Sequence, residues 1–165
     1  MKNLSLIAAI GKNNELGKDN QLLWHLKEDM KFFREQTTGK TIVMGRNTFN
    51  SFKKPLPNRH HIVLSRSNIY LGEDIEVMHS HDEVIEKLSN REDEIFIIGG
   101  EKIYNLFIDD VDKMLITEVE ESYDDADAYF PDFDKEEFDK EFLYRVEDES
   151  IKYNHVKYLR KTLKK

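Results

Sequence analysis

Ile95-Phe96-Ile97-Ile98-Gly99-Gly100-Glu101-Lys102-Ile103-Tyr104 is the stretch from which the fold is read. Its first four residues form an apolar run of strand length, the kind buried on both faces of a sheet. Two glycines end the run. Residues 101–108 then place Ile103, Leu106 and Phe107 at helical spacing, so a strand passes into a helix through a tight turn. Paired glycines let a ligand approach the backbone, and a helix start offers free N–H groups to a phosphate. A plain tight turn reads equally well, because the stretch is neither G-x-G-x-x-G nor a Walker A loop.

Outward from there the pattern repeats. Strand-sized runs rich in Ile, Val and Leu lie at 4–10, 41–44, 61–64, 75–78 and 113–119. Helical spacing appears in 27–36, with Met30 and Phe33 on one face and Leu26 one turn earlier, and in 82–89, with Val84, Ile85 and Leu88 together. Short buried strands alternating with helices predict one α/β domain over residues 1–165. Its central sheet is mixed but mostly parallel, with about four helices on its two faces. The tail differs: 138–148 and 151–163 read as long strands joined by a turn near 149–150, an antiparallel hairpin at the sheet edge. Ligands in such sheets sit beyond the carboxyl ends of the strands, so chemistry is sought there.

The 165 residues suffice for a real core. The absence of cysteine excludes disulfides, thiolate metal sites and thiol nucleophiles. No apolar run approaches the ~20 residues of a membrane helix, and 4–10 reads as a first strand rather than a signal peptide. These features predict a cytoplasmic protein. The net charge of −8 argues against nucleic acid as a partner. It divides into +7 over residues 1–66 and −15 over 67–165. The basic part leaves room for a small anion, or is simply a solvated surface.

Two further strand ends carry polar groups: Gly45-Arg46-Asn47-Thr48 and Leu64-Ser65-Arg66-Ser67. An arginine in a first helical turn opposes the helix dipole unless an anion accompanies it. Together, Arg46, Arg66 and Lys102 suit a ligand with several phosphates. In Trp24-His25-Leu26-Lys27-Glu28-Asp29-Met30-Lys31-Phe32-Phe33, Asp29 shares a helix side with Phe32 and Phe33, while Glu28 faces water. A carboxylate among aromatics has a raised pKa and can pair with a planar N–H donor pair. Alternatively, Asp29 is an ordinary first-turn acid. His25, His60, His61, His79, His81 and His155 show no metal-ligand spacing. The run from Asp132 fails as a calcium loop because Glu137 stands where glycine is needed, so no metal is expected.

Taken together, these residues resemble bacterial dihydrofolate reductase over the whole chain. The match covers 4–9, 14–17, Trp24-x-Leu26-x-x-Asp29, Gly45-Arg46-x-Thr48, Pro55-Leu56-Pro57-x-Arg59, Leu64-Ser65, Ile98-Gly99-Gly100, Thr117 and Phe130-Pro131. The resemblance implies reduction of 7,8-dihydrofolate by NADPH. It makes Asp29 the pterin anchor, supported by Thr117, with Trp24 placing an ordered water and Leu22 counted beside them. Ile7, Ala8, Phe33, Phe52, Leu56 and Ile98 would line the substrate pocket, and Arg59, helped by Lys54, would hold the glutamate carboxylate. Ala9, Leu16, Gly17 and Asn20 would meet the nicotinamide side. Gly99, Gly100, Glu101, Lys102, Ile103 and Tyr104, with Ile98, would bind the pyrophosphate and nicotinamide region. Gly45, Arg46, Asn47, Thr48, Leu64, Ser65 and Arg66 would bind the phosphates and adenosine end.

The implied mechanism is hydride transfer to the pterin C=N carbon, with water protonating the adjacent nitrogen. Loop 11–25 would be a lid, which the acidic stretch 120–127 either braces or leaves free as a solvated turn. Leu23 and Lys27 replace two usual prolines, which implies a more mobile lid. Arg66 replaces a usual Ser or Thr and would favour the 2′-phosphate. A monomer is expected by the same resemblance. Competing readings are a pyrimidine reductase of riboflavin synthesis, which shares fold and cofactor, and a nucleotide-binding homologue without catalysis.

Overall fold

The computed structural model describes residues 1–18, 21–22, 26–148 and 150–161, with the backbone alone at 21–22. Its frame is an eight-stranded sheet. The strands are β1 Leu4–Ile10, β4 Thr41–Gly45, β5 His60–Leu64, β6 Ile75–Met78, β7 Ile95–Ile97, β8 Lys113–Val119, β10 Phe138–Glu147 and β11 Lys152–Arg160, in the order β10-β11-β8-β1-β7-β4-β5-β6. Six neighbouring strands, from β8 to β6, are parallel; β11 runs against both β8 and β10. This is the mostly parallel sheet and edge hairpin read from the sequence. Among the described residues there are four α-helices: α1 Lys27–Thr37, α2 Arg46–Ser51, α3 His81–Leu88 and α4 Glu101–Phe107.

Alternation along the strands sorts side chains to two cores. Leu4, Leu6, Ala8 and Ile10 of β1 face α3 and α4 with Val43, Ile62, Val84, Ile103 and Phe107. Ile7 points the other way and packs with Phe32, Met44, Phe96, Ile98 and Leu115, flanked by Phe33, Phe49, Phe52 and Leu56. Ala8, expected to line the pocket with Ile7, instead turns its side chain to the opposite face. Two helix faces also differ from the sequence reading. Met30 is 52% exposed, and α1 buries Phe32 and Thr37 instead. Leu106 is 44% exposed, and Tyr104 takes its place beside Ile103 and Phe107. In both cases a neighbouring apolar side chain satisfies the same periodicity, and the sheet selects between them.

The expected lid loop contains structure. β2 Glu15–Lys18 pairs with β3 Gln21–Leu22 and with β9 Ala128–Tyr129 in a small antiparallel sheet. The acidic stretch does brace it: Lys12 N–H donates to Glu121 O (2.9 Å), Asp127 N–H to Gly17 O (3.0 Å) and Phe130 N–H to Asn14 O (2.7 Å). Glu15 is buried and accepts from the backbone N–H of Tyr123 (2.6 Å) and Asn13 (2.7 Å). Burial pushes its carboxyl up, but these amides prevail and hold it below the usual range.

At the opposite end of the sheet, Glu94 clamps four strands. It receives Lys40 Nζ (2.7 Å), Lys113 Nζ (2.6 Å) and the Ser5 hydroxyl (2.7 Å). Burial opposes its charge, yet the two ammonium groups and the hydroxyl lower its pKa from 4.5 to about 2. A depressed acid stabilises the fold above its unfolded pKa, and that stability is lost as pH falls through the folded value. Glu94→Gln is therefore expected to cost about 2 kcal/mol at neutral pH and to flatten the stability loss between the unfolded and folded pKa values. Denaturant melts across that range check it; parallel pH profiles for the two proteins would refute it.

Candidate active site

The site begins with Asp29 in the first turn of α1. The N-cap position of this helix is Leu26, which has no capping side chain. The Asp29 side chain is 22% exposed, so one edge remains open. Its Oδ1 accepts the Thr117 hydroxyl from β8 at 2.5 Å. Burial raises the Asp29 pKa, and the Thr117 bond only partly offsets this. Ile7, Phe33, Phe52, Leu56 and Ile98 belong to one apolar cluster with Phe32, which shares α1 with Asp29. A carboxylate among apolar walls can take two parallel N–H donors from the edge of a flat heterocycle.

Arg59 lies past α2, on the loop before β5. The buried His61 shapes this loop: its Nε2 accepts Leu56 N–H at 3.0 Å and its Nδ1 donates to Arg59 O at 3.2 Å. Burial lowers the His61 pKa, which keeps the neutral ring that this pairing needs. The Arg59 guanidinium lies 5.9 Å from the Phe33 ring centroid and reaches Thr38 Oγ1 only at 3.4 Å. Its Nε is buried with no partner among the described residues. Burial first, and Arg34 second, lowers its pKa. Lys54 is exposed nearby in sequence.

The second half of the site lies where β7, β4 and β5 end side by side. Gly45 N–H donates to Gly99 O at 2.9 Å, joining two of the turns. A Cβ on Gly45 would sit 3.1 Å from Ile103 Cγ1, and one on Gly99, whose φ is +117°, would sit 3.1 Å from Tyr104 Oη. A Cβ on Gly100 would sit 3.8 Å from Thr48 Oγ1. Neither α2 nor α4 has a side-chain cap at its start. Arg46, Asn47, Arg66 and Lys102 are exposed, and Leu64 and Ser65 half-buried. The result is an open backbone cradle edged with cations.

Several of the expected ligand residues also have structural work. Tyr104 is buried under Gly99 and donates its hydroxyl to Ile7 O at 2.8 Å. Glu101 accepts from Tyr129 N–H at 3.0 Å, tying α4 to the small sheet. Leu16 belongs to the α3/α4 core, while Ala9 is half-buried. Asn20, Leu23 and Trp24 lie outside the described residues, and of Leu22 only the backbone is described. His155 escaped the sequence reading: it is fully buried, 2.9 Å from Thr117 Oγ1 and 3.9 Å from Asp29 Oδ1. Alternation along β11, which places it opposite Thr117, is the one signal that points to it. Among the described residues no cluster of three or more acids or histidines fits a metal ion, and no helix is long and apolar enough to cross a membrane.

Glycine turns and cations at neighbouring strand ends, beside a half-buried carboxylate in an apolar cleft, define an α/β protein built to hold a nucleotide and a small heterocycle side by side. The comparisons agree. A dihydrofolate reductase family model matches residues 3–163. The chain is 40% identical over 151 residues to the dihydrofolate reductase of Haemophilus influenzae, covering 91% of this chain and 92% of that one. It is 40% identical over 130 residues to dihydrofolate reductase type 3 of Salmonella typhimurium, with 79% of each covered. The structure of the Enterococcus faecalis dihydrofolate reductase, complexed with NADP(H) and RAB-propyl, superposes with a TM-score of 0.85 at 33% identity over 96% of both chains. The chain belongs to the dihydrofolate reductase family. Neither a pyrimidine reductase nor a non-catalytic homologue is favoured by these matches.

Proposed function

We infer that the chain is an NADPH-dependent reductase of 7,8-dihydrofolate. The observation that carries this reading is the half-buried Asp29–Thr117 pair opening into the apolar cleft, beside the glycine cradle. NADPH, when bound, supplies the hydride for the pterin C=N carbon, giving 5,6,7,8-tetrahydrofolate. The protein's part is alignment and a dry pocket. Asp29 holds the pterin 2-amino group and neighbouring ring N–H, and Thr117 steadies the carboxylate. Ile7, Phe33, Phe52, Leu56 and Ile98 exclude water around the rings. The carboxylate of Asp29 orients the substrate from its edge, so the proton for the reduced nitrogen comes through water.

The cradle suits the cofactor because Gly45, Gly99 and Gly100 put no side chain at the neighbouring strand ends, where Arg46, Arg66 and Lys102 are exposed. Gly99, Gly100 and Lys102 would hold the pyrophosphate, and Arg46, Asn47, Thr48, Ser65 and Arg66 the adenosine end with its 2′-phosphate. Membership of the dihydrofolate reductase family supports a single domain working as a monomer in the cytoplasm. The net charge of −8 disfavours nucleic acid. Loss of NADPH absorbance on adding dihydrofolate tests the reading, and a mixture that leaves the absorbance unchanged would overturn it.

The buried Nε of Arg59, without a protein partner, supports Arg59 as the grip on the glutamate carboxylate. Arg59→Gln is expected to raise the KM for dihydrofolate roughly tenfold to hundredfold, since a charge-assisted pair is lost while hydride transfer is untouched. Steady-state kinetics check this: a fall in kcat with KM unchanged would refute the assignment.

A further inference from the structure

The Thr117 hydroxyl touches two groups at once. Its Oγ1 is 2.5 Å from Asp29 Oδ1 and 2.9 Å from His155 Nδ1. His155 stands directly across the β8–β11 ladder from Thr117 and is 0% exposed. Its ring stacks on Phe32 at 4.3 Å and touches Tyr144 at 4.5 Å and Tyr153 at 5.6 Å. The titratable groups facing it are Asp29 and Glu28 from α1, Tyr144 from β10, and Tyr153 from β11 itself. Lys157, two residues along the same strand face, is paired with Glu141 at 3.4 Å.

A hydroxyl has one proton to give. If Thr117 gives it to Asp29, then His155 Nδ1 must carry a proton and donate to a Thr117 lone pair. If Thr117 gives it to His155, Asp29 loses its donor and must itself be protonated to face Thr117. The far side of the ring decides between these arrangements. His155 Nε2 is buried and has no partner among the described residues. A bare buried acceptor is tolerated more readily than a buried N–H with nothing to bond. The proton therefore sits on Nδ1, and the chain runs His155 Nδ1–H to Thr117 Oγ1–H to Asp29 Oδ1. Each bond in such a chain polarises the next.

We propose that His155 is a positioning residue for the pterin anchor: as a neutral imidazole with its proton on Nδ1, it directs the Thr117 hydroxyl at Asp29 and favours the ionised carboxylate. Burial drives the imidazole pKa down to about 4 against the pull of Glu28, in keeping with a neutral ring at working pH. The ligand role of Asp29 rests on the function inferred above, but the proton order does not, and it can be read in the chain without substrate.

The test is the carboxyl carbon NMR titration of Asp29 in the wild-type chain, in His155→Phe and in His155→Asn. Phenylalanine keeps the stack on Phe32 and removes both nitrogens, whereas asparagine returns an N–H near the place of Nδ1. The midpoint is expected to rise by roughly half a pH unit in the Phe variant and to move back in the Asn variant. An unchanged midpoint in His155→Phe overturns the proposal, as does a rise that asparagine does not reduce, which would make the ring mere packing. Nitrogen NMR of the wild-type ring tests it without any variant: a proton on Nδ1 and a bare Nε2 are expected, and a proton on Nε2 overturns it. Failure of dihydrofolate turnover with an intact His155–Thr117–Asp29 order would instead count against the function.

Discussion

Asp29→Asn is expected to lower kcat/KM for dihydrofolate at least about hundredfold while leaving the fold intact. Hydrogen bonds to a charged partner contribute about 1.5–3 kcal/mol each, and two are lost when the carboxylate becomes an amide. The amide keeps one acceptor but turns an N–H toward the ligand's own N–H, so part of the site becomes repulsive. Stability should move the other way. Burial raises the Asp29 pKa, so the folded chain holds its proton to higher pH than the unfolded chain. Above the unfolded value, the ionised carboxylate therefore opposes folding, and a neutral amide removes that cost. The melting temperature is expected to be unchanged or higher, and affinity for a protonated diaminopyrimidine inhibitor should fall with activity. Kinetics within about threefold of wild type would remove Asp29 from its assigned role.

Gly99→Ala is expected to damage fold and cofactor site together, costing about 2–4 kcal/mol and weakening NADPH binding more than about tenfold. Two effects combine. A φ of +117° is one that side-chain-bearing residues rarely adopt, and the new Cβ would lie 3.1–3.2 Å from the Tyr104 ring and hydroxyl. Tyr104 cannot swing away cheaply, because its hydroxyl bonds Ile7 O and its ring packs against Phe130 at 5.2 Å. Gly39 supplies the control: its φ is +81°, but nothing lies within 4 Å of its Cβ position. Gly39→Ala should carry the backbone cost alone, about 1 kcal/mol. Equal destabilisation of the two variants in denaturant melts would show that the Tyr104 contact does not matter.

The large sheet was legible because buried parallel strands are continuous apolar runs, and those at 4–10 and 113–119 match β1 and β8 residue for residue. The tail strands alternate clearly enough to be placed within a few residues. The small sheet was not legible. β3 and β9 have two residues each, too few for any period, and each is a strand only through its pairing with β2. The helix faces were half legible: Leu26 is buried and Phe33 half-buried as the helical period requires, but Met30 fits the same period and is exposed, and only the sheet beneath α1 chooses.

The site divides the same way. Sequence alone determined that cations follow three strands, two of them after glycine, and that one acid stands among aromatics at the start of α1. Those are local facts, dictated by the strand and helix periods and by which residues tolerate a turn. Only the tertiary structure decided that β7, β4 and β5 lie side by side, so that three separate turns become one cradle. It alone brought Thr117 and His155, 88 and 126 positions beyond Asp29 in the chain, behind a single carboxylate. The reason is that hydrogen-bond partners across a sheet are set by strand order and register, and neither is written in any one segment.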